Sequence, residues 1–441
     1  TILKPNCVIA HPEIFPHAFT RSEVIDGVLG AVRDRGQAIT ELSVGERSGI
    51  TVPTRFCFKM AGYDQVIRRH GVRASYFDET KQVPVTLTAK ERLRDLIYVP
   101  QPIAECDFLI NMPKFKAHPW TRLTLCLKNY IGIQDDRHRL LDHNTYLEHK
   151  IADLQEVIRP GLNVVDAITA GQKMMLTPTP FHMGAIVMGV NSCAVDSVCC
   201  HMVHVDPTDV VHLKYASQRG FGPVDLNEIE VGGDFPLDEV RQRTRTFEFC
   251  LERIDDYFAD TKALRCTVGR FPEDHSRDYC WGGCPGALQE AMHIIRGAYP
   301  DVDDHMGRIR YVVGQVDGPL NLADDERVIF AGDCCKWEGT IGGERVSIKP
   351  TYRGPELFDA RNSKTNDMVL KIAGSLAHCF LNRSKRYIRA AGCPVSVGQH
   401  VNYLSAMGKI PNVNFDTRII LPINLAYARM RASRMRNRLL G

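Results

Sequence analysis

The sequence lacks long apolar runs and lacks an excess of charge of either sign. Its longest apolar stretches, such as 184–190 and 419–428, are far shorter than the roughly 20 residues that cross a bilayer. Lys and Arg number 55 against 52 Asp and Glu, which leaves a formal charge of only +3. Such a balance does not favour binding nucleic acid through bulk electrostatics. We therefore expect no membrane-spanning segment, and any anion site must be local.

Several nucleotide and hydrolase motifs are also missing. The sequence contains no Walker loop, no G-x-G-x-x-G after a strand, no His-Glu-x-x-His and no serine elbow. ATP, Rossmann-type NAD and zinc-protease chemistry therefore have no sequence support, and no motif supports a flavin. With 441 residues, 44% of them hydrophobic and 24% charged, the chain is instead an ordinary globular protein large enough for two domains.

Fifteen cysteines are present, but they form no dense, evenly spaced disulfide framework. The adjacent pairs 199–200 and 334–335 suit a reducing compartment better, so we expect a cytoplasmic protein. The chain begins at Thr1 without a methionine, and we expect some N-terminal sequence to be missing.

Strand and helix signals alternate in the first half, which predicts an α/β fold with a mainly parallel sheet. The stretch from Thr20 to Glu23 has capping-box spacing, and apolar residues follow at helical period until Gly36. Gly and Pro punctuate residues 219–246, which places a boundary between domain 1–235 and a smaller α/β domain 236–441. Buried strands are predicted at 2–5, 39–44, 108–112, 164–168, 185–190, 310–316, 327–331 and 386–391.

Three cysteine-bearing loops of the second domain follow predicted strands or begin predicted helices. Cys280 and Cys284 open a helix, whereas Cys334 and Cys393 each follow a strand in a glycine-containing loop. Loops at the carboxyl ends of strands can converge on one point. Four thiolates match the ligand count of a [4Fe-4S] cluster, so we predict these four residues as its ligands, with Cys335 as an alternative to Cys334.

Two other interpretations of these cysteines remain open, namely small buried hydrophobic residues and a four-cysteine zinc site. Prolines directly after Cys284 and Cys393 favour an iron–sulfur cluster. The order of the loops over 280–394 resembles the cluster loops of the small subunits of nickel-iron hydrogenase and of respiratory complex I, which implies electron transfer. The other cysteines are predicted to be mostly core: Cys7, Cys57, Cys106, Cys126, Cys193, Cys199, Cys200, Cys250, Cys266 and Cys379.

Lysines and a histidine follow the predicted strand 108–112. In an extended chain Lys114, Lys116 and His118 project to one side, which predicts an anion pocket for carboxylate or phosphate. Further polar groups at other predicted strand or helix ends could face the same anion pocket. The alternative is that these lysines are solvated loop residues without a ligand. These predicted substrate-binding residues are Lys4, Asn6, Glu46, Lys128 and Asn129.

Carboxylates and imidazoles near these lysines are candidates for proton transfer. Asp166 at the end of a predicted strand, Asp196 at a predicted helix start and Glu46 could each orient a lysine or act as a base, although Asp196 could equally cap a helix. His118, His143 and His149 are further acid–base candidates, because the imidazole group in general titrates near neutrality.

The order and spacing of several motifs over 2–234 resemble the family called domain of unknown function 362. That resemblance implies an α/β domain with functional residues in a Pro-Lys-x-Lys-x-His segment and a Lys-Asn pair, here Lys114, Lys116, His118, Lys128 and Asn129. Many members carry iron–sulfur clusters in an appended ferredoxin-like domain, whereas this chain has scattered cysteines. The N-terminal part is also distantly similar to lactate racemase, which implies a carboxylate pocket. The motifs are Leu3-Lys-Pro-Asn6, Asn111 to His118, Thr124 to Asn129, His149 to Leu154, Arg159 to Asp166 and Ala194-Val-Asp196.

These observations predict an iron–sulfur oxidoreductase that acts on a small, carboxylate-bearing substrate. Lys114, Lys116 and Lys128 would bind the anion, and His118 or Asp166 would move protons. One alternative is a non-redox lyase or isomerase with an open iron as Lewis acid. Another is an electron-transfer subunit that docks on a larger enzyme through the arginine-rich tail at 429–438. An electron-donor protein and a homo-oligomer are the partners compatible with these functions.

Overall fold

The computed structural model describes residues 1–35, 39–49, 52–139, 146–249, 253–272, 277–351, 377 and 380–440. The chain divides into two compact units, Thr1–Phe249 with Pro422–Gly441, and Cys250–Leu421. In each unit helices accompany one main sheet. Among the described residues, no helix is long and apolar enough to cross a membrane.

The division between the units falls at 249/250 rather than at the predicted 235/236, and the C-terminal segment belongs to the first unit. The Gly- and Pro-rich stretch packs onto that unit because it carries apolar anchors. Val240 and Phe247 lie in its core, and the Phe247 ring is 5.8 Å from that of Phe115 and 5.3 Å from that of Phe181, centroid to centroid. Turn-forming residues therefore mark an irregular segment inside the unit.

The first unit contains an eight-stranded sheet in the order β3-β2-β1-β6-β9-β7-β8, with β10 also paired to β9. Neighbours are parallel except for the pairs β7/β8 and β9/β10, which confirms the predicted mainly parallel sheet. A separate hairpin joins β4 and β5. The strands are β1 (Ile2–Pro5), β2 (Ser43–Glu46), β3 (Arg73–Tyr76), β4 (Gln82–Thr86), β5 (Leu96–Pro100), β6 (Leu109–Met112), β7 (Lys114–His118), β8 (Arg122–Leu123), β9 (Leu162–Gln172) and β10 (Thr179–Gly189).

Helix α1 buries one apolar stripe, which consists of Val24, Ile25 and Leu29. The predicted cap Thr20 has another role: its hydroxyl donates to the Met112 carbonyl and accepts the Asn6 amide, tying together the ends of β1 and β6. The helices are α1 (Ser22–Arg35), α2 (Thr54–Met60), α3 (Tyr63–His70), α4 (Gln101–Ala104), α5 (Cys126–Asn129), α6 (Asp136–Arg139), α7 (Leu147–Asp153), α8 (Ser192–Met202), α9 (Val211–Gln218) and α10 (Leu237–Arg243). Gly36, the predicted helix end, lies outside the described residues.

Two predictions about β9 and β10 differ from the structure. Asp166, predicted at a strand end, lies inside β9. The apolar run 185–190 was predicted as a buried strand, but β10 pairs only with β9 among the described strands, and Ile186, Met188 and Val190 are 47%, 65% and 74% exposed. A short apolar run does not reveal whether a second layer covers it.

The second unit has a five-stranded sheet in the order β11-β12-β13-β14, with β15 also paired to β13. The pairs β11/β12, β12/β13 and β13/β15 are parallel, and β14 folds back antiparallel on β13. Helix α13 buries Leu288, Met292 and Ile295, as its periodicity predicted. The elements are α11 (Ile254–Tyr257), β11 (Leu264–Val268), α12 (Arg277–Gly282), α13 (Cys284–Ala298), α14 (Val302–His305), β12 (Ile309–Gln315), β13 (Arg327–Ile341), β14 (Glu344–Ile348), β15 (Tyr387–Ala390), α15 (Val397–Gly408) and α16 (Thr417–Leu440).

The arginine-rich tail at 429–438 lies in α16, whose residues from Pro422 onward belong to the first unit, and it packs on that unit. The Arg434 Nε donates to the Asp78 carbonyl at 2.8 Å, and the Asn437 amide donates to the Glu79 carbonyl at 2.9 Å. Part of the tail therefore forms hydrogen bonds with residues of the first unit.

Candidate functional site

Lys4 and Glu46 form a buried ion pair at the ends of β1 and β2. Lys4 Nζ lies 2.8 Å from Glu46 Oε2, and Glu46 Oε1 accepts the Arg47 amide at 2.7 Å. Gly132 covers the pair: a Cβ there would lie 2.1 Å from Glu46 Oε1. Burial lowers the pKa of Lys4, and the carboxylate of Glu46 opposes that shift. The charges of Lys4 and Glu46 therefore neutralise each other in a buried environment.

Lys114 and Asp166 form a second buried ion pair, between β7 and β9. Lys114 Nζ lies 2.8 Å from Asp166 Oδ2, which also accepts the Arg21 amide at 2.8 Å. His17 lies within electrostatic range of Lys114, Arg21 and Asp166, and burial followed by the two cations lowers its pKa. This half-buried imidazole was missed by the sequence analysis, because no motif marks the loop before α1.

The other two predicted residues of β7 contact different groups. Lys116 Nζ donates to the carbonyls of Ala18 at 2.9 Å and Met175 at 2.8 Å. His118 Nδ1 accepts the Trp120 amide at 3.2 Å. Lys114, Lys116 and His118 alternate along one strand as predicted, but each is held by its own partners.

A chain of amides connects the strand ends. Asn129 Nδ2 donates to Asn111 Oδ1 at 2.8 Å, and Asn111 Nδ2 donates to Asn163 Oδ1 at 3.0 Å. Ser192 Oγ donates to the same Asn163 oxygen at 3.1 Å. Asn111 and Asn163 were not predicted as site residues, although asparagine inside a buried strand is an unusual choice that could have indicated them. Among the described residues, the buried Asn6 Oδ1 has no hydrogen-bond partner.

Lys128 differs from the other three predicted lysines. Its ammonium has no hydrogen-bond or ion-pair partner among the residues that the structure describes, and its side chain keeps partial exposure. Burial, together with the charges of Lys116 and Arg139, lowers the pKa of Lys128 to about 7, and Glu148 opposes the shift. Lys128 is therefore the lysine of this set that remains available to a ligand.

Asp196 positions the helix that carries Lys128. The Asp196 carboxylate accepts the amides of Cys126 at 2.8 Å and Leu127 at 3.0 Å, so it caps α5. The helix that contains Asp196, α8, is capped by Asn191 instead. Burial raises the pKa of Asp196 to about 7, and these hydrogen bonds oppose the rise. Of the other predicted imidazoles, His149 stacks on Tyr215 with centroids 4.3 Å apart, and His143 lies outside the described residues.

Three separate segments of the second unit bring together the four predicted cluster cysteines. Burial raises the pKa of the Cys284 thiol, and the nearby thiols of Cys334, Cys393 and Cys280 raise it further. The Val395 amide donates to Cys284 Sγ at 3.3 Å. An added Cβ on Gly332 would lie 3.4 Å from Cys284 Sγ and 3.6 Å from Cys334 Sγ.

The four thiols do not form a compact set of ligands for a single metal ion. Among the described residues, no group of three or more His, Cys, Asp or Glu lies close enough to hold a metal ion. A cluster spreads its thiolates more widely, because each one binds a different iron. Gly332, inside β13, and Gly392 have φ of 94° and 144°, a backbone conformation that favours glycine at both positions. The absent side chain of Gly332 leaves space beside the sulfurs of Cys284 and Cys334.

Among the remaining described cysteines, a second group of neighbouring thiols, Cys126, Cys193 and Cys199, is buried in the first unit around Asp196. Cys335 is fully buried in the apolar core of the second unit. Cys7 and Cys57 are buried neighbours in the first unit. Cys250 and Cys379 lie outside the described residues. The others are buried or half-buried thiols: Cys106, Cys200 and Cys266.

Comparison with known proteins finds a family match within the first unit. Residues 1–201 match the model of the family described as Domain of unknown function (DUF362), which confirms the predicted resemblance. The match contains every lysine discussed above and ends before the four cysteines that converge in the second unit. No curated protein was found to match the sequence.

Four chains among the solved structures match, and one of them is a distant neighbour. It is the lactate racemase apoprotein from Thermoanaerobacterium thermosaccharolyticum, with 10% sequence identity and a TM-score of 0.31. The match covers 71% of this chain and 60% of that chain.

Proposed function

We propose that this protein is an iron–sulfur oxidoreductase. Its second unit would hold one [4Fe-4S] cluster through Cys280, Cys284, Cys334 and Cys393, and its first unit would bind a small anionic organic substrate. The thiols require a reducing compartment, so we propose a cytoplasmic location.

The convergence of four thiols from distant parts of the sequence is the observation that carries the proposal. Buried cysteines normally scatter through a core as small hydrophobic residues, as Cys335 does. Here the four thiols share one environment, beside two glycines with positive φ and an amide that donates to Cys284 Sγ. Amide donors and nearby helix termini stabilise the negative charge of a cluster.

Buried cations of the first unit support an anionic substrate. Lys4 and Lys114 have carboxylate partners, whereas Lys128 has none among the described residues. The positive charges of Lys116 and Arg139 repel a proton at Lys128. An anion placed near Lys128 would offset this positive potential. The half-buried His17 beside Lys114 and Asp166 adds a group that could transfer a proton.

A bound cluster would supply one-electron transfer. The residues of the first unit would hold the carboxylate and exchange protons with the substrate. Lys116 and Lys128 would attract the anion, and His17, His118 or Asp166 would move protons. An electron-donor protein would reduce the cluster.

Anaerobic purification and iron–sulfide reconstitution test the cluster. We expect a brown protein with about four irons and four sulfides per chain, and an EPR signal that appears on reduction with dithionite. Reoxidation of the reduced protein is then followed during titration with a series of 2-oxo acids. A colourless protein that stays free of iron, or that takes up zinc instead, would contradict the proposal.

Matched cysteine variants make the test specific. Cys284→Ser and Cys393→Ser should lower the iron content and the visible absorption, because each removes a proposed ligand. Cys266→Ser, at a half-buried cysteine of the same unit, should keep both. Equal loss of iron in all three variants would point to a general effect on folding.

A further inference from the structure

Three polar side chains of the first unit lie within electrostatic range around Lys128, and none of them forms a hydrogen bond or ion pair with another described side chain. They are Lys128 on α5, Glu148 on α7 and His212 on α9. His212 is 2% exposed, and its Nδ1 has no hydrogen-bond partner among the described residues. The Glu148 carboxylate accepts its own backbone amide and forms no ion pair within the described part of the chain. Lys128 and Glu148 are half-buried, whereas His212 is buried. Because buried polar groups are normally paired, the unpartnered Nδ1 of His212 indicates a site that a ligand can complete.

The charges around Lys128 favour its neutral amine. Lys116 and Arg139 repel a proton at Lys128, Glu148 attracts one, and His212 contributes no charge because its own pKa is lowered to about 3 by burial and by Lys128. With a pKa of about 7, roughly half of Lys128 is neutral at pH 7, whereas an ordinary lysine is neutral in about one molecule in 2,500. A desolvated lysine beside other cations is a recognised form of activated nucleophile.

We propose that Lys128 forms a Schiff base with the carbonyl carbon of a small oxo acid. This inference rests on the proposed function, since it gives the anionic substrate a chemical class. The carbonyl group must reach Nζ, and the carboxylate of the same molecule would be attracted by Lys116 and Arg139.

The reaction balances without any further reagent. Lys128 Nζ attacks the carbonyl carbon, and the carbonyl oxygen becomes a hydroxyl after taking up a proton. The resulting carbinolamine loses that hydroxyl with a second proton as water, leaving a C=N bond. Glu148, whose pKa is raised by burial, is placed to give and regain protons during these steps.

Reductive trapping on the whole protein tests the proposal. Pyruvate and sodium cyanoborohydride are added at pH 7 to reconstituted protein, and propanal serves as a neutral comparison. Hydride reduces the C=N bond to a stable secondary amine, so the protein gains the mass of pyruvate less one oxygen atom. Peptide mapping should place the adduct on Lys128, at least tenfold above the exposed Lys59 and Lys214. An adduct spread over surface lysines, with Lys128 unmodified, would overturn the proposal.

Two variants at the same position give matched controls. Lys128→Arg keeps a cation but cannot form a Schiff base, and Lys128→Met removes both charge and nucleophile. Both should abolish the adduct at this peptide, whereas Lys214→Met should leave it unchanged. Trapping that continues at the same peptide in Lys128→Arg would overturn the proposal. The unmodified protein gives the decisive result even if a variant fails to fold.

Iron content, measured on the same samples, separates this inference from the proposed function. An adduct on Lys128 in protein that binds no iron supports the Schiff base and contradicts the redox function. A protein with an intact, reducible cluster but no adduct overturns the Schiff base alone.

Discussion

Cys334 and Cys335 are neighbours in β13, yet they serve different parts of the second unit. Cys334 Sγ lies beside Cys284 Sγ at Gly332, whereas Cys335 is fully buried in the apolar core with Phe330 and Trp337. Successive side chains of a strand point to opposite faces, so only one of the two can face the other proposed ligands. The structure therefore favours Cys334 over Cys335 as the third ligand.

Serine substitution at Cys334 should remove the cluster, because it removes a proposed ligand at a half-buried position. We expect Cys334→Ser to lose most of its iron and visible absorption after anaerobic reconstitution. Cys335→Ala should keep its iron and lose about 1–2 kcal/mol of unfolding free energy, because it leaves a small gap in the core. The reverse pattern, with iron lost only in Cys335→Ala, would show that the ligand was assigned to the wrong cysteine.

Breaking the Lys4–Glu46 pair should destabilise the first unit. Glu46→Gln leaves a buried ammonium without its carboxylate, which costs about 3–5 kcal/mol in comparable pairs. The control is Glu41→Gln, which breaks an ion pair whose side chains are 72% and 67% exposed and should cost less than about 1 kcal/mol. Urea unfolding monitored by circular dichroism measures both. Similar losses of unfolding free energy in the two variants would mean that burial adds little to the stabilisation by the Lys4–Glu46 pair.

A methyl group at Gly132 should disturb the same pair. The Cβ of Gly132→Ala would lie 2.1 Å from Glu46 Oε1 and 2.9 Å from Lys4 Nζ, so the pair must move. We expect a loss of about 2–4 kcal/mol of unfolding free energy. Gly30→Ala, inside α1 with open space around it, should instead be neutral or stabilise by up to about 1 kcal/mol. Thermal unfolding of the two variants gives the comparison.

Lys128 should make stability rise with pH above neutrality. Its pKa is lowered to about 7 in the folded chain, whereas in the unfolded chain it is near 10.4, so the unfolded state binds more protons between these values. The unfolding free energy of the unmodified protein, minus that of Lys128→Met, should therefore increase from pH 7 to pH 10. The slope should approach, but not exceed, about 1.4 kcal/mol per pH unit. A difference that stays flat over this range would mean that Lys128 has an ordinary pKa.

Many local features could be predicted from the sequence because short-range physics fixes them. The mainly parallel sheet follows from alternating strand and helix signals, and the buried face of α13 follows from its periodicity. The turn residues of 219–246 do not show that Val240 inside this segment and Phe247 just after it lie in the core of the first unit, because these are long-range contacts. His17 and Asn163 were missed because their importance depends on residues far away in the sequence.

The sequence by itself determined which residue types were available: lysines and asparagines near strand ends in one half, and glycine-flanked cysteines in the other. Only the tertiary structure decided which of them have partners. Lys4 and Lys114 are neutralised by Glu46 and Asp166, whereas Lys128 has no such partner among the described residues. The physical reason is that local patterns set secondary structure, whereas hydrogen bonding, burial and charge pairing depend on distances between atoms that the chain brings together only when it folds.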